Sequence, residues 1–445
     1  MLAIVRADQH FNERLIGQCN ERIWCTRAQN AQGACAAEKL AIFGGTPVIP
    51  LGRVIPWPAA EKKHVDALRG VVDSGKYHRV NHPIVSDLEQ NLARWIGKWQ
   101  VRAVGSGTAA IHIELDYFKE RGEQVVTAAL NWPGAVGPIT INGLEPVFVD
   151  VDMSVAGIDQ RAAAERFNPN VAAVLITHLF GNNVLVPDGR HAARAQGIAV
   201  IDDICQSIAA AKVIVGGSHL DTDALALSGN GAKHLGAGEL GFVITEDADL
   251  IAHVDRVSLS SSSRSGARIF SPLSQGYNYR PNVFSSSIAK LRVTEMDAQL
   301  QIRRDNSNLL WEMISDLAGI LPLFDPSDCD HSMLNFPLRI EPEALGFAPG
   351  PAARDFVVKS LQAEGVPICV WLTKPVFEYL PEIRNNWNAA DFPNTVKILD
   401  TMFYVSEIAP PNGGELMHLY ADAFHKVWSA LHKQGPEIAA GAISG

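Results

Sequence analysis

From Ile42 onward the chain alternates short apolar runs with stretches of helical periodicity. The runs are Val125–Ala128, Pro146–Val151, Ala172–Thr177, Ile198–Asp202, Ala224–Leu227 and Phe242–Thr245. They are continuous rather than alternating, the mark of strands covered on both faces. Helical segments such as Ala109–Glu120 and Arg190–Gln196 lie between them. Strand and helix in turn predict an α/β domain built on a largely parallel sheet. Ahead of it, Glu61–Ser74 places Val65, Leu68, Val71 and Val72 on one helical face, and Leu88–Trp99 does so with Leu88, Leu92, Trp95 and Ile96. Phe43–Pro47 and Ile55–Pro58 read as an extended entry arm.

Past residue 280 the pattern changes. A long helical stretch, Phe284–Leu317, precedes the strand-like Ser332–Ile340 and helices near Ala352–Glu364 and Glu415–Lys433. This predicts a smaller C-terminal α+β domain closing on the first. The expected division is an N-terminal appendage over 1–40, polar and without a clear strand, a large domain over 41–280 and a small domain over 281–445. At 445 residues, with 47% apolar and 19% charged residues, the chain can bury two cores of ordinary size. The net charge of −10, with no basic block, argues against nucleic acid and anionic membrane as partners. No apolar run reaches the roughly 18 residues of a membrane span, and the start lacks the order of a secretory signal. Cys19, Cys25, Cys35, Cys205, Cys329 and Cys369 have no metal-ligand spacing and read as reduced thiols of a cytoplasmic protein.

The chemistry centres on Lys233, in Ser228-Gly-Asn-Gly-Ala-Lys-His-Leu-Gly-Ala-Gly-Glu-Leu-Gly241. An amine in a partly dry, glycine-rich turn can lose its proton and form a Schiff base with an aldehyde. Asp203, at the carboxyl end of the Ile198–Asp202 run, can pair with a protonated pyridine nitrogen. Together they are what pyridoxal phosphate requires, and both belong to the sheet edge where ligands bind in such folds. Ser106, Gly107 and Thr108 open a helix and can seat a phosphate; a simple helix cap is the other reading. Ser228 can add a hydroxyl to the same anion. Trp132 can stack on the ring or fill the core. Gln206 can bond the ring's phenolic oxygen, and either Asp202 or Asp203 can instead cap a helix.

These residues resemble the DegT/StrS-type sugar aminotransferases of the aspartate aminotransferase fold (fold type I). The similar segments are Ser106–Ala110, Gly143–Asp152, His178–Gly181, Val200–Gln206, the Lys233 segment and Gly276–Arg280, spread over about Gly44 to Trp428. The resemblance implies a seven-stranded, mostly parallel sheet, pyridoxal phosphate on Lys233, and glutamate or glutamine as donor. It implies a ketone acceptor of sugar, cyclitol or related carbocyclic type, in secondary-metabolite biosynthesis. It also implies a homodimer, with Asn278 reaching across the interface to the neighbouring subunit's cofactor phosphate. The chain departs from the pattern at Leu240, where glycine is usual, at Gly229, where relatives often carry an aromatic, and at Ile208, where histidine is common. A lyase or dehydratase on the same fold, with His234 moving protons, and an idle regulator of that fold are the competing readings. Tyr77, His78, Arg79, Asn81 and His82 read either as a substrate-contacting loop or as plain surface. Trp371–Pro375 replaces a segment common in nucleotide-sugar enzymes.

Overall fold

The computed structural model describes residues 39–79, 82–97, 99–185, 187–217, 221–258, 276–328 and 330–434. The predicted 1–38 part of the appendage lies outside them, as do Asn81, Cys19, Cys25, Cys35 and Cys329. No helix among the described residues is long and apolar enough to cross a membrane.

Seven strands form the main sheet: β1 (Gln100–Val104), β2 (Gln124–Ala128), β3 (Glu145–Val149), β4 (Val171–Thr177), β5 (Ala199–Asp203), β6 (Ala224–Ser228) and β7 (Gly241–Thr245). Their order is β1-β7-β6-β5-β4-β2-β3. β7 runs antiparallel to both its neighbours, and the other pairings are parallel. Every residue of β4, β5, β6 and β7 is buried, which is why the apolar runs were continuous. Alternation survives inside the burial. Ala224 and Ala226 face the cluster under helix Gly107–Phe118, whereas Leu225 and Leu227 face the one under helices Pro83–Ile96 and Val283–Thr294. Small side chains on the first face let the helix come close to the sheet.

The second sheet is antiparallel, with β8 (Ile320–Pro322), β9 (Phe336–Ile340), β10 (Ile368–Cys369) and β11 (Met402–Val405) in the order β8-β9-β11-β10. Helices Ala352–Ala363 and Gly414–Gln434 pack with it. The helical stretch after residue 283 is two helices, Val283–Thr294 and Met296–Ile314, parted at Glu295. The entry arm belongs by its hydrogen bonds to this C-terminal unit. The N–H groups of Ala41 and Val48 reach the Glu364 carboxylate at 2.8 and 3.1 Å, and that of Ile55 reaches Asn412 at 3.1 Å. Trp57 is thereby carried from the small sheet to the edge of the large one.

Candidate active site

The carboxyl ends of β5 and β6 and the turn after β1 open on a cavity of about 470 Å³, closed from the other side by the small sheet. Ser106, Gly107, Thr108, Trp132, Asp203, Gln206, Ser228 and Lys233 all line it. Asn278 does not; it sits at φ 60° on the loop whose Tyr279 carbonyl accepts from Gly105 N–H at 3.0 Å.

Two adjacent aspartates on β5 point to opposite faces, as strand geometry demands, and so have different uses. Asp202 is buried against Arg190, with Nη1 to Oδ2 at 2.8 Å, and also accepts from Thr222 at 2.8 Å and His178 Nε2 at 2.8 Å. Burial pushes its carboxyl up, but Arg190 and His178 outweigh this and hold it well below the ordinary carboxylate range. His178 Nδ1 accepts from Val184 N–H, so the ring acts as a neutral donor to Asp202. Asp202 is therefore an ion-pair partner and not a helix cap. Asp203 faces the cavity, where its Oδ1 accepts from Cys205 N–H at 3.0 Å. Burial pushes its carboxyl up, a penalty that a protonated nitrogen opposite it would reverse. Beneath lies Glu114, fully buried with neither carboxylate oxygen bonded, pushed well up by burial and by the two aspartates.

Lys233 is half-buried in a turn fixed by its N–H to Asn230 O (2.8 Å) and by its carbonyl, which accepts from Gly236 N–H and Trp57 Nε1 at 2.9 Å each. Its Nζ has no hydrogen-bond partner among the described residues. Burial lowers its pKa, and the Asp203 carboxylate only partly restores it. Gln206 accepts from Phe180 N–H at 2.8 Å, which leaves its amide NH₂ as a donor toward the cavity. Phe180 itself sits at φ 58°, and a Cβ on the following Gly181 would stand 2.5 Å from Met333 N. The His178–Gly181 turn is thus wedged between the sheets, bonded to Leu334 and Ser332 at 3.1 and 2.8 Å.

The start of helix Gly107–Phe118, the candidate phosphate cradle, is tight enough to exclude a side chain. A Cβ on Gly107 would meet Cys205 Sγ at 2.5 Å and Ser228 Cβ at 3.1 Å, and one on Gly241 would overlap the Ser106 carbonyl at 2.1 Å. Ser106 caps the helix by accepting from Ala109 N–H at 3.1 Å, so the cap and anion readings are compatible. Gly134 lets Trp132 Nε1 and Thr108 Oγ1 come together, its own Cβ position being 2.8 and 2.9 Å from them. Trp132 is 47% exposed and stacks on Trp371 with centroids 6.2 Å apart, so it is not a core residue. A cavity wall that offers an indole, a carboxyl, an amine, several hydroxyls and a helix start has the groups that a phosphorylated pyridine aldehyde requires.

The departures from the pattern have packing explanations. Leu240 is fully buried and lies 3.0 Å from where a Cβ on Gly229 would be. It fills the room that an aromatic at 229 would need, so the two changes belong together. Ile208 lies in the apolar cluster, away from the cavity. His234 is buried with Nε2 on Ser332 O at 3.0 Å, and burial holds its pKa well down. It does not line the cavity, which removes the proton route a lyase reading gave it. Of the described members of the Tyr77–His82 stretch none lines the cavity. His78 instead meets Arg280 at 3.2 Å, and His82 caps helix Pro83–Ile96.

Sequence reasoning did not single out Phe180, Arg303, Asn335, Tyr404, Ser406 or Glu407, all in the cavity wall. For Arg303 a signal existed: Gln299, Arg303, Asn306 and Ser307 form a polar stripe at helical spacing, all buried.

Comparison with known proteins agrees with this geometry. Residues 58–407 match the model of the DegT/DnrJ/EryC1/StrS aminotransferase family. The chain is 31% identical to Protein MosB of Rhizobium meliloti over 199 residues, 44% of this chain but only 38% of that protein. It is 26% identical to a putative L-glutamine:3-amino-2,3-dideoxy-scyllo-inosose aminotransferase of Streptomyces kanamyceticus over 342 residues, 75% of this chain and 79% of the other. The crystal structure of DesI in the presence of its TDP-sugar product superposes with a TM-score of 0.74 at 21% identity, covering 91% of this chain and 99% of that one. The match over 58–407, most of its length, places the chain in the DegT/DnrJ/EryC1/StrS aminotransferase family.

Proposed function

We propose that this protein is a pyridoxal-phosphate-dependent aminotransferase. It would carry an amino group from glutamine or glutamate to a ketone of a sugar, cyclitol or related carbocycle. The observation that carries this reading is the convergence of Lys233, Asp203 and Gln206 with Ser106, Gly107, Thr108 and Ser228 on one cavity. Members of the family are pyridoxal phosphate enzymes. When bound, the cofactor supplies an aldehyde for amine exchange and an electron-accepting ring.

The roles of the side chains follow from their settings. Lys233 Nζ, with its pKa lowered by burial, would hold the cofactor and would serve as base and acid for the proton at the donor's Cα. Asp203 would keep a proton on the ring nitrogen, and the Gln206 NH₂ would donate to the phenolic oxygen. The hydroxyls of Ser106, Thr108 and Ser228 and the start of helix Gly107–Phe118 would hold the phosphate. Trp132 would back the ring. Asn278 is assigned to the second copy's phosphate in a homodimer; its loop stands outside its own cavity wall and is tied through Arg280 to His78.

The acceptor side is aromatic and polar together. Phe180 packs edge-on to Trp371 at 5.1 Å and lies 5.9 Å from Tyr404, and Asn335, Ser406 and Glu407 complete the wall. Aromatic faces suit the C–H faces of a six-membered ring, and the polar groups suit its hydroxyls.

The test is an absorbance spectrum of the protein with pyridoxal phosphate, before and after glutamine, glutamate or alanine. A visible band lost on adding one donor and regained on adding a keto-cyclitol or keto-sugar is the expected result. A band unmoved by every donor would refute transamination.

A further inference from the structure

An amino donor brings a carboxylate that must be held while its Cα reacts. Among the described residues lining the cavity there are two cations, Lys233 and Arg303, and three carboxylates, Asp203, Glu239 and Glu407. Lys233 is committed to the cofactor, which leaves Arg303.

Arg303 is 1% exposed. Its Nε donates to Gln299 Oε1 at 3.2 Å and its Nη1 to the Leu334 carbonyl at 2.8 Å, but buried Nη2 has no partner among the described residues. No carboxylate lies within ion-pair distance of it among the described residues. Glu407 acts on it only through space, being engaged as acceptor for Trp57 N–H at 2.9 Å. A buried guanidinium lacking both a counter-charge and one hydrogen-bond partner is costly, and a site that binds an anion explains why such a group persists. Burial lowers its pKa to about 9, so it is charged at neutral pH.

Its position is fixed relative to the reacting lysine. Gln299 bridges it to the carbonyl of His234, the residue after Lys233, at 3.0 Å. The Trp57 indole links the two again: its Nε1 donates to Lys233 O at 2.9 Å, and the Arg303 guanidinium carbon lies 5.0 Å from a ring centroid of the same side chain. Trp57 also holds Glu407, so cation, carboxylate and lysine are parts of one assembly.

We infer that Arg303 binds the carboxylate at the donor's Cα, and that Glu407 beside it selects a donor with an uncharged side chain, such as glutamine, over a dicarboxylic one. Among the described residues of this chain one cation of the cavity wall is left for substrate, and Glu407, which acts on Arg303 through space, opposes a second carboxylate. This inference rests on the aminotransferase reading above.

The test separates the two. The cofactor-loaded protein and Arg303→Gln are titrated with glutamine, with glutamate and with an aminocyclitol, which has an amine but no carboxylate, following loss of the visible band. In parallel, calorimetry measures binding of 4-carbamoylbutyrate (glutamine without its α-amino group) and of glutarate. Losing a charge-assisted bond predicts that Arg303→Gln weakens glutamine and 4-carbamoylbutyrate by about 10- to 100-fold. The aminocyclitol should titrate both proteins alike, and the unaltered protein should bind 4-carbamoylbutyrate more tightly than glutarate. Arg303→Lys, which keeps the charge, should fall between and serves if the glutamine variant does not fold. Equal titration of both proteins by glutamine, or equal weakening of glutamine and the aminocyclitol, would overturn the assignment. Glutarate binding as tightly as 4-carbamoylbutyrate would overturn the selectivity. If no amino acid moved the band but 4-carbamoylbutyrate still distinguished the variant, transamination would fail and the carboxylate site would stand.

Discussion

Gly107→Ala tests the cradle most directly, because the obstruction is a single atom. The new Cβ would stand 2.5 Å from Cys205 Sγ and 3.1 Å from Ser228 Cβ, where comfortable contact is roughly 3.5–4 Å. The thiol must therefore retreat by more than an ångström, or the helix start must lift away from β6. Overpacking of this kind costs about 1–3 kcal/mol, and alanine is otherwise the better helix residue by about 1 kcal/mol, so a loss is attributable to the clash. If the strain falls on the phosphate seat, affinity for pyridoxal phosphate drops by roughly 5- to 150-fold, read by absorbance titration of the cofactor-free protein. Adding Cys205→Ala to the variant deletes the clashing atom and should recover most of that loss, leaving only the 3.1 Å contact with Ser228. Undiminished affinity in Gly107→Ala, or no recovery in the double variant, would refute the cradle.

Lys233→Ala should abolish turnover while the cofactor still binds, now removable by dialysis and without its visible band; near-normal turnover would dismiss the assignment of Lys233. Arg190→Met leaves Asp202 buried without its cation, held only by Thr222 and His178, and should cost about 3–5 kcal/mol in urea unfolding at pH 7. Asp202 is held below its ordinary range, so its pairing is worth most above about pH 4 and is lost as pH falls through the folded value; the gap between the two proteins should narrow in acid. Gly229→Phe should destabilise by about 1–3 kcal/mol through Leu240, and Gly229→Phe with Leu240→Gly should be the more stable of the two variants by thermal melting.

What was legible in the sequence was the part of the cavity lining that is local in the chain. Ser106–Thr108, Asp203–Gln206 and Lys233 each occupy a strand end or the turn just after one, so composition and position coincide. Arg303 and Glu407 come from a helix and from the loop after β11, and only the tertiary fold brings them to Lys233 by way of Trp57. β1 was missed because Gln100 and Arg102 interrupt its apolar run. Arg102 is kept half-buried by Asp255, at 3.2 Å, a partner some 150 residues on. The helix break at Glu295 carries no glycine or proline to announce it. The 1–38 segment and Asn81 fall outside the described residues.

The packing of Leu240 against Gly229 bears on how such chains diverge. A glycine-to-leucine change beside an aromatic would meet a wall, and an aromatic lost beside glycine would leave a hole. Either step alone is a valley, and both together are a new plateau. A chain that carries both residues is discouraged from exchanging either one alone, because Leu240 stands 3.0 Å from where a Cβ at 229 would be. Proteins sharing the Gly229–Leu240 combination should therefore form one branch, whatever ring each of them aminates.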